Sequence, residues 1–420
     1  MAIAEKPPPA YATTLAEIES AAKTLKGHVV RTPLIAAPKL SALTGAEIFI
    51  KYENLQFTNS FKDRGAYLKL DSLSGDERKR GVIAISAGNH AQAVAYHASR
   101  LGIPALIVMP EGTPFVKVGN TEALGAEVVL AGETIAESRE TADIIAAERN
   151  LTFVHPYDDP LVITGQGTVG VEMLADQPDL DMIVVPVGGG GLIAGCAVAA
   201  KALKPGIEII GVEAEYFPSM HHGVRDEEPV CGGQTLAEGI AVKKVGDLTL
   251  PIVRDLVSDI ILVDEAAIER AICTLLTVQK TMSEGAGASG LAAISKEPDR
   301  FQGRKIGLVL TGGNIDPRML ASIVVRGLEY EEKIVSLRLN ITDQPGVLGT
   351  IASMLGKAGA NILEVSHRRT FLDVPAKGAT LDIVIETKDA AHAAKVMDKM
   401  REAGFEVERR SGADGDFGAY

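Results

Sequence analysis

The chain has 420 residues, 46% of them hydrophobic and 23% charged, with a formal net charge of −13. That length exceeds one ordinary core and predicts two or three domains, and the composition excludes a disordered chain. The acidic balance argues against nucleic acid or an anionic membrane as the main partner, and no apolar run reaches the length of a bilayer span. The three cysteines, Cys196, Cys231 and Cys273, are scattered without a CxxC pair. No disulfide framework or zinc site is therefore expected; each reads as a small buried apolar residue, and a reducing cytoplasm is the expected compartment. The stretch Met1 to Thr14 has no apolar signal core.

In chain order, the extended segment Glu47 to Glu53 leads into a loop that ends in Asn59-Ser60-Phe61-Lys62-Asp63-Arg64-Gly65, with Asp63-Arg64-Gly65 read as a turn. A strand at Val82–Ile85 precedes Ser86-Ala87-Gly88-Asn89-His90-Ala91-Gln92 and a helix from His90 to Leu101, which Gly102 can close. Further strands are predicted at 105–108, 183–187, 207–212, 260–263 and 306–310; their short β-branched runs suit a parallel sheet buried on both faces. Helices are predicted at Leu192–Leu203, stopping before Pro205, and at Glu265–Gln279, capped by Asp264. This alternation continues to about Leu320 and implies a doubly wound α/β architecture. After Glu329-Tyr330-Glu331-Glu332 the pattern changes. Strands at 334–339, 361–368, 379–386 and 405–407 and helices at 347–358 and 390–403 give a βαββαβ order, which is ferredoxin-like. The Gly- and Asp-rich tail Ser411 to Tyr420 reads as a frayed end.

Four segments carry chemistry. A lysine held against a ring in a partly dry pocket loses its proton near neutral pH and can form a Schiff base, which makes Lys62 the candidate nucleophile; the bland alternative is a solvated surface lysine. Gly188-Gly189-Gly190-Gly191-Leu192, between a strand and a helix, allows close backbone approach and suits a phosphate dianion. The same residues satisfy a loose dinucleotide pattern, Gly189-x-Gly191-x-x-Ala194 with Glu213 at the next strand, so a nicotinamide dehydrogenase stays open on this segment. Ser86 to Gln92 offers a hydroxyl, an amide and helix-start N–H groups to a carboxylate or phenolic oxygen, or is a plain helix cap. Thr311-Gly312-Gly313-Asn314 places a hydroxyl at the carboxyl end of a central strand, where open α/β sheets bind ligands.

These segments, together with Thr235-Leu236-Ala237-Glu238-Gly239-Ile240-Ala241-Val242 and Ser283-Glu284-Gly285-Ala286-Gly287-Ala288, stand in the order seen in fold-type II pyridoxal-phosphate (PLP) enzymes. The chain resembles threonine dehydratases of that family, with serine racemases and serine dehydratases as near relatives. The resemblance covers roughly residues 15 to 325 and implies a tryptophan synthase β-like catalytic domain of two doubly wound subdomains. Its bounds are 1–328, with a smaller subdomain at roughly 52–155 inserted in the larger. Residues 333–410 resemble a regulatory ACT domain, on Asp343-Gln344-Pro345-Gly346-Val347-Leu348 and the element order, followed by a flexible tail at 411–420.

Carried over by residue, the resemblance implies that Lys62 holds PLP as a Schiff base and moves the α-proton, and that Phe61 flanks the ring. Gly188, Gly189, Gly190, Gly191 and Leu192 would bind the phosphate through backbone N–H groups. Asn89 would meet the phenolic oxygen, Thr311 the pyridine nitrogen, and Gly239 and Glu284 would complete the cofactor site. Ser86, Asn89 and His90 would bind the substrate carboxylate. A hydroxyl partner leaves the pyridine a weaker electron sink than an aspartate would, which favours β-elimination. Racemases of the family carry a serine where this chain has Ala87, so the resemblance implies a dehydratase of L-threonine, and secondarily of L-serine. Their metal position is matched by Glu213 but not by Phe217 or Ser219, so no metal is expected. The expected partners are a hydroxy-amino acid substrate, an amino-acid effector at the ACT domain, and further copies of the chain in a homodimer or homotetramer. A non-catalytic amino-acid sensor is the third class of reading.

Overall fold

In the computed structural model, which describes residues 11–368 and 378–410, the chain divides into two units, Met1–Ile315 and Asp316–Tyr420. The Asp316 boundary precedes the helix Pro317–Tyr330; the change of pattern at Glu329 marks where that helix ends.

The first unit holds two sheets. The strands are β1 (Leu34–Ala36), β2 (Glu47–Tyr52), β3 (Val82–Ile85), β4 (Ala105–Met109), β5 (Glu127–Leu130), β6 (Thr152–Phe153), β7 (Met182–Pro186), β8 (Glu208–Ala214), β9 (Asp259–Val263) and β10 (Lys305–Leu310). The larger sheet runs β1-β2-β10-β7-β8-β9 and the smaller β5-β4-β3-β6. Every pairing is parallel except that of β1 with β2. The apolar runs of β3, β4, β7 and β10 are buried, as helices on both faces require. Predicted helix starts and stops fall close to the observed ones: Asn89–Leu101 closes on Gly102 at φ 66, and Asp264 caps Glu265–Thr277 by accepting from the Ala267 N–H.

Two expectations are corrected. Asp63-Arg64-Gly65 is not a turn but the first turn of the helix Lys62–Asp71. Gly65 is there for packing: a Cβ would lie 2.5 Å from Gln166 Nε2, and a Cβ on Gly165 of the helix Pro160–Asp176 would lie 2.8 Å from the Gly65 Cα. Of the cysteines, only Cys196 is buried; Cys231 and Cys273 are half-buried.

The second unit begins with Pro317–Tyr330, capped by Asp316. Its strands are β11 (Ile334–Thr342), β12 (Asn361–Arg368), β13 (Gly378–Glu386) and β14 (Glu406–Arg410), in the antiparallel order β12-β13-β11-β14. Helices Val347–Ala358 and Ala390–Glu402 complete the βαββαβ order. Val335, Leu337, Leu339 and Ile341 alternate inward and meet Ile351, Leu355, Val396 and Met400 from the two helices. The Ser411–Tyr420 tail lies outside the described residues.

Candidate active site

Lys62 is the first residue of its helix, and the loop before it is bolted to the end of β10. The Phe61 N–H donates to the Thr311 carbonyl at 3.0 Å, Ser60 pairs with Gly312, and the Gly313 N–H reaches the Asn59 carbonyl at 3.0 Å. Asn59 takes φ 58, a left-handed conformation that asparagine tolerates and that turns the chain into this pairing. The Lys62 amine lies 5.2 Å from the Phe61 ring centroid and donates to the Pro156 carbonyl at 2.6 Å. Burial pulls its pKa down to about 8, against the pull of Glu284, which favours the charged form.

A hydrogen-bond chain joins three of the sequence motifs. Asn314 Nδ2 donates to Asn89 Oδ1 at 2.7 Å and to the Thr58 carbonyl at 2.8 Å; Asn89 Nδ2 donates to Glu284 Oε1 at 2.7 Å. The Glu284 N–H in turn reaches the Gly312 carbonyl at 3.1 Å. The Asn89 amide is thus held at both ends. Burial pushes the Glu284 carboxyl up to about 7, with the Asn89 donor opposing it. Thr311 is buried at the end of β10. Gly239 backs onto this cluster: a Cβ there would stand 3.1 Å from Ala286 Cβ and 3.6 Å from Glu284 Oε1.

The glycine loop has a filled floor. A Cβ on Gly189 would run into the Tyr157 ring, and one on Gly191 would lie 2.8 Å from the Tyr157 carbonyl. Gly190 takes φ 94, and a Cβ there would lie 2.5 Å from Met220 Cε; only this glycine needs a left-handed backbone. A Cβ on Gly188 would lie 3.0 Å from Val242 Cγ2. Leu192 stands in the first turn of the helix Gly191–Leu203. The open side is left to a backbone cradle at a helix N-terminus, which fits a phosphate, and a half-buried lysine of lowered pKa, bonded to Pro156 beside Tyr157, fits an aldehyde. These residues therefore fit PLP.

A match to the family described as "Pyridoxal-phosphate dependent enzyme" runs over residues 25–312. This chain belongs to that family. Residues 335–405 match the ACT domain. The chain is 46% identical over 396 residues, 94% of its own length and 98% of the relative's, to an L-threonine ammonia-lyase of Thermotoga maritima. The processed form of threonine deaminase isoform 2 from Solanum lycopersicum superposes with a TM-score of 0.70 at 36% identity, covering 74% of this chain and 86% of that one. Maize serine racemase superposes with a TM-score of 0.71 at 34% identity, covering 77% and 100%.

In this PLP enzyme the side chains of the carboxylate loop differ in use. Ser86 Oγ accepts from the Gly88 N–H at 3.1 Å and shapes the turn. The His90 ring turns inward, bonds the Val154 carbonyl at 2.9 Å, and is held neutral by burial with a pKa of about 3. What His90 offers a ligand is its backbone N–H. Glu213, the residue that kept a dehydrogenase open, is fully buried and accepts from the Met220 and His221 N–H groups at 2.8 Å, so its carboxylate is engaged within the fold. Ser219 is likewise bound to the Val242 carbonyl at 2.5 Å. Sequence reasoning missed His155-Pro156-Tyr157-Asp158, which touches both the lysine and the glycine loop; its two adjoining aromatic rings ahead of an acidic helix cap were the available signal.

Proposed function

We propose that the chain is a PLP-dependent ammonia-lyase that converts L-threonine to 2-oxobutanoate and ammonia, with L-serine giving pyruvate as a secondary activity. The observation that carries this reading is Lys62, an amine of lowered pKa beside the Asn314–Asn89–Glu284 chain and the glycine loop. PLP, when bound, supplies the electron sink that stabilises negative charge at the substrate Cα. Lys62 is the amine that holds the cofactor aldehyde, and its Nζ then takes the α-proton. Gly188 to Gly191 and Leu192 would hold the phosphate, Phe61 would flank the ring, and Gly239 backs onto Glu284. Asn89, fixed by Asn314 and Glu284, would meet the phenolic oxygen. Thr311 would offer the pyridine nitrogen a hydroxyl, which does not protonate it fully. Ser86, the Asn89 backbone and the His90 N–H hold the substrate carboxylate.

Loss of the α-proton and of the β-hydroxyl as water leaves an enamine, which water hydrolyses to the 2-oxo acid and ammonia. Ala87 packs on the apolar core of the smaller subdomain and carries no proton to return to the opposite face. Deamination therefore outruns racemisation. The test measures 2-oxo acid release from L-threonine and L-serine, with chiral chromatography of the remaining serine; rapid D-serine build-up relative to pyruvate would overturn the dehydratase reading. The ACT domain is the site of an amino-acid effector, and the working molecule is a cytoplasmic homodimer or homotetramer.

A further inference from the structure

Two parts of the site that lie far apart in sequence, Lys62 and the glycine loop, lean on one short turn. The Lys62 amine donates to the Pro156 carbonyl at 2.6 Å. The next residue, Tyr157, lies under Gly189 and Gly191, and its hydroxyl is tied to the Lys244 carbonyl at 2.8 Å. Asp158 follows, accepting the Asp247 and Leu248 N–H groups at 3.0 and 2.9 Å. That second loop grips the glycine loop from its other side, since Thr249 Oγ1 donates to the Gly189 carbonyl at 2.7 Å. What holds the turn itself is His155. Its Nδ1 accepts the Tyr157 N–H at 3.3 Å and the Asp158 N–H at 2.7 Å. Backbone N–H groups only donate, so Nδ1 carries a lone pair and the ring proton is on Nε2.

We infer that His155 is a positioning residue: its unprotonated Nδ1 holds the turn that aims the Pro156 carbonyl at Lys62 and seats Tyr157 under the glycine loop. The inference rests on the reading of Lys62 and the glycine loop as the cofactor site. A protonated ring has no lone pair at Nδ1 and would release both N–H groups together. The surroundings prevent this. The ring is wedged edge-on between Phe153 and Tyr157, with centroids 5.8 and 4.7 Å away. Burial drives its pKa down to about 4; Lys62 and Arg139 push the same way, while Asp158 and Asp159 oppose. Across the working pH range of an ammonia-lyase the acceptor therefore persists.

The test uses the full chain. Nitrogen-15 NMR of the imidazoles, with the His155 signal assigned by its loss in His155→Leu, is expected to show a neutral Nε2–H tautomer that resists protonation down to about pH 5, well below an ordinary histidine. A charged ring or an Nδ1–H tautomer at pH 7 overturns the inference without reference to any variant's folding. His155→Leu removes the acceptor. It is expected to weaken retention of PLP about tenfold, the size of one or two lost hydrogen bonds, and to lower kcat more than it raises KM. His155→Asn, whose side-chain oxygen can accept the N–H two residues on as in an Asx turn, is expected to stay within about threefold of wild type. PLP retention unchanged in His155→Leu, or equally lost in both variants, overturns the inference. A PLP adduct mapped to a lysine other than Lys62 overturns the site reading instead, and leaves the tautomer result standing.

Discussion

Lys62 and Arg64 are two residues apart on one helical turn and have opposite electrostatic fates. Arg64 is fully buried, and all five of its N–H groups are used: Nε and Nη2 on Glu53 at 2.8 and 2.7 Å, both terminal nitrogens on Glu172 at 2.7 and 2.8 Å, and Nη1 on Thr168 at 3.0 Å. Lys51 adds a second cation on Glu172 at 2.5 Å, so two carboxylates meet two cations. Burial alone would lower the pKa of Arg64, but the carboxylates override it and push it above its ordinary value. Lys62 has one carbonyl, that of Pro156, as its hydrogen-bond acceptor, and burial wins. Burial acts against both charges, and the difference in outcome is the supply of counter-charge. The two faces differ in use: one anchors the helix, the other holds the Lys62 amine on a single carbonyl, the arrangement that the proposed Schiff-base role calls for.

The largest break in this comparison is Lys62→Ala. Turnover of L-threonine is expected to fall by at least about a thousandfold, with the visible absorption of the lysine-bound cofactor lost and the denaturation midpoint nearly unchanged. Wild-type turnover in the variant would refute the assignment.

Arg64→Met breaks the other face. It leaves Glu53 and Glu172 facing each other with Lys51 alone between them, a loss of about 3–5 kcal/mol by the usual cost of splitting a buried pair. The sign with pH is fixed. In wild type, burial raises the pKa of Glu53 but Arg64 outweighs it and holds it below 4.5, so this contribution is present at neutral pH and is lost in acid. Without Arg64, burial prevails, the folded-state pKa rises, and stability is lost as pH climbs through it. The gap between variant and wild type in denaturant midpoint should therefore widen from pH 5 to pH 8. A constant gap would show that the carboxylates are not what Arg64 restrains.

The anchoring face was the part least legible in the sequence. Asn89, the glycine loop and Thr311 follow predicted strands directly and Lys62 ends the loop after Glu47–Glu53; each motif alone has a bland reading, and it was their joint order, resembling that of fold-type II PLP enzymes, that made the site legible. The Arg64 network draws on Lys51, Glu53, Thr168 and Glu172 across 121 positions, and nothing in a charged residue's own neighbourhood announces a distant partner. Arg64 and Gly65 read as a turn because arginine beside glycine is ordinary turn chemistry; tertiary packing against Gly165 and the buried carboxylates overrode that local preference. The element order of the ACT unit was legible, and its two helices nearly to the residue, while β11 and β14 each run three residues beyond the predicted ends. Its helix and strand periods are those of one-sided amphipathic elements, which burial patterning alone can read. His155 to Asp158 failed for the opposite reason: a turn has no period, and its function lies in backbone groups.

A smaller effect sharpens the electrostatics of the catalytic face. The Glu284 carboxylate favours the charged form of Lys62, so Glu284→Gln should move the Lys62 titration further below its value of about 8. Competitive acetylation of cofactor-free protein across pH, read by mass spectrometry at Lys62, gives the midpoint directly. A midpoint that rises in the variant would mean that the contribution of Glu284 to desolvation outweighs its charge.

The smallest expected effect comes from the other unit. The Asp343-Gln344-Pro345-Gly346 turn follows β11 and opens the helix Val347–Ala358, with Gly346 at φ 92 as its cap. Helix-start N–H groups in that position suit an amino-acid carboxylate. An effector bound there changes catalysis only if it prefers one of two states of the whole chain, and such preferences run to about 1–3 kcal/mol, or roughly 5- to 150-fold in apparent affinity. Lys62 and Arg64 are set by contacts within the first unit, so the effector should shift the substrate dependence and leave the Lys62 titration midpoint where it is. Isoleucine, valine and other amino acids titrated against the full chain, and against a truncation ending near Glu329, give the measurement. Equal responses from both constructs, or no binding by calorimetry, would reduce the ACT unit to an assembly role. A response confined to the full chain, accompanied by a moved Lys62 midpoint, would instead mean that the effector reaches the catalytic face itself, and that the two faces of the Lys62 helix are less independent than their contacts imply.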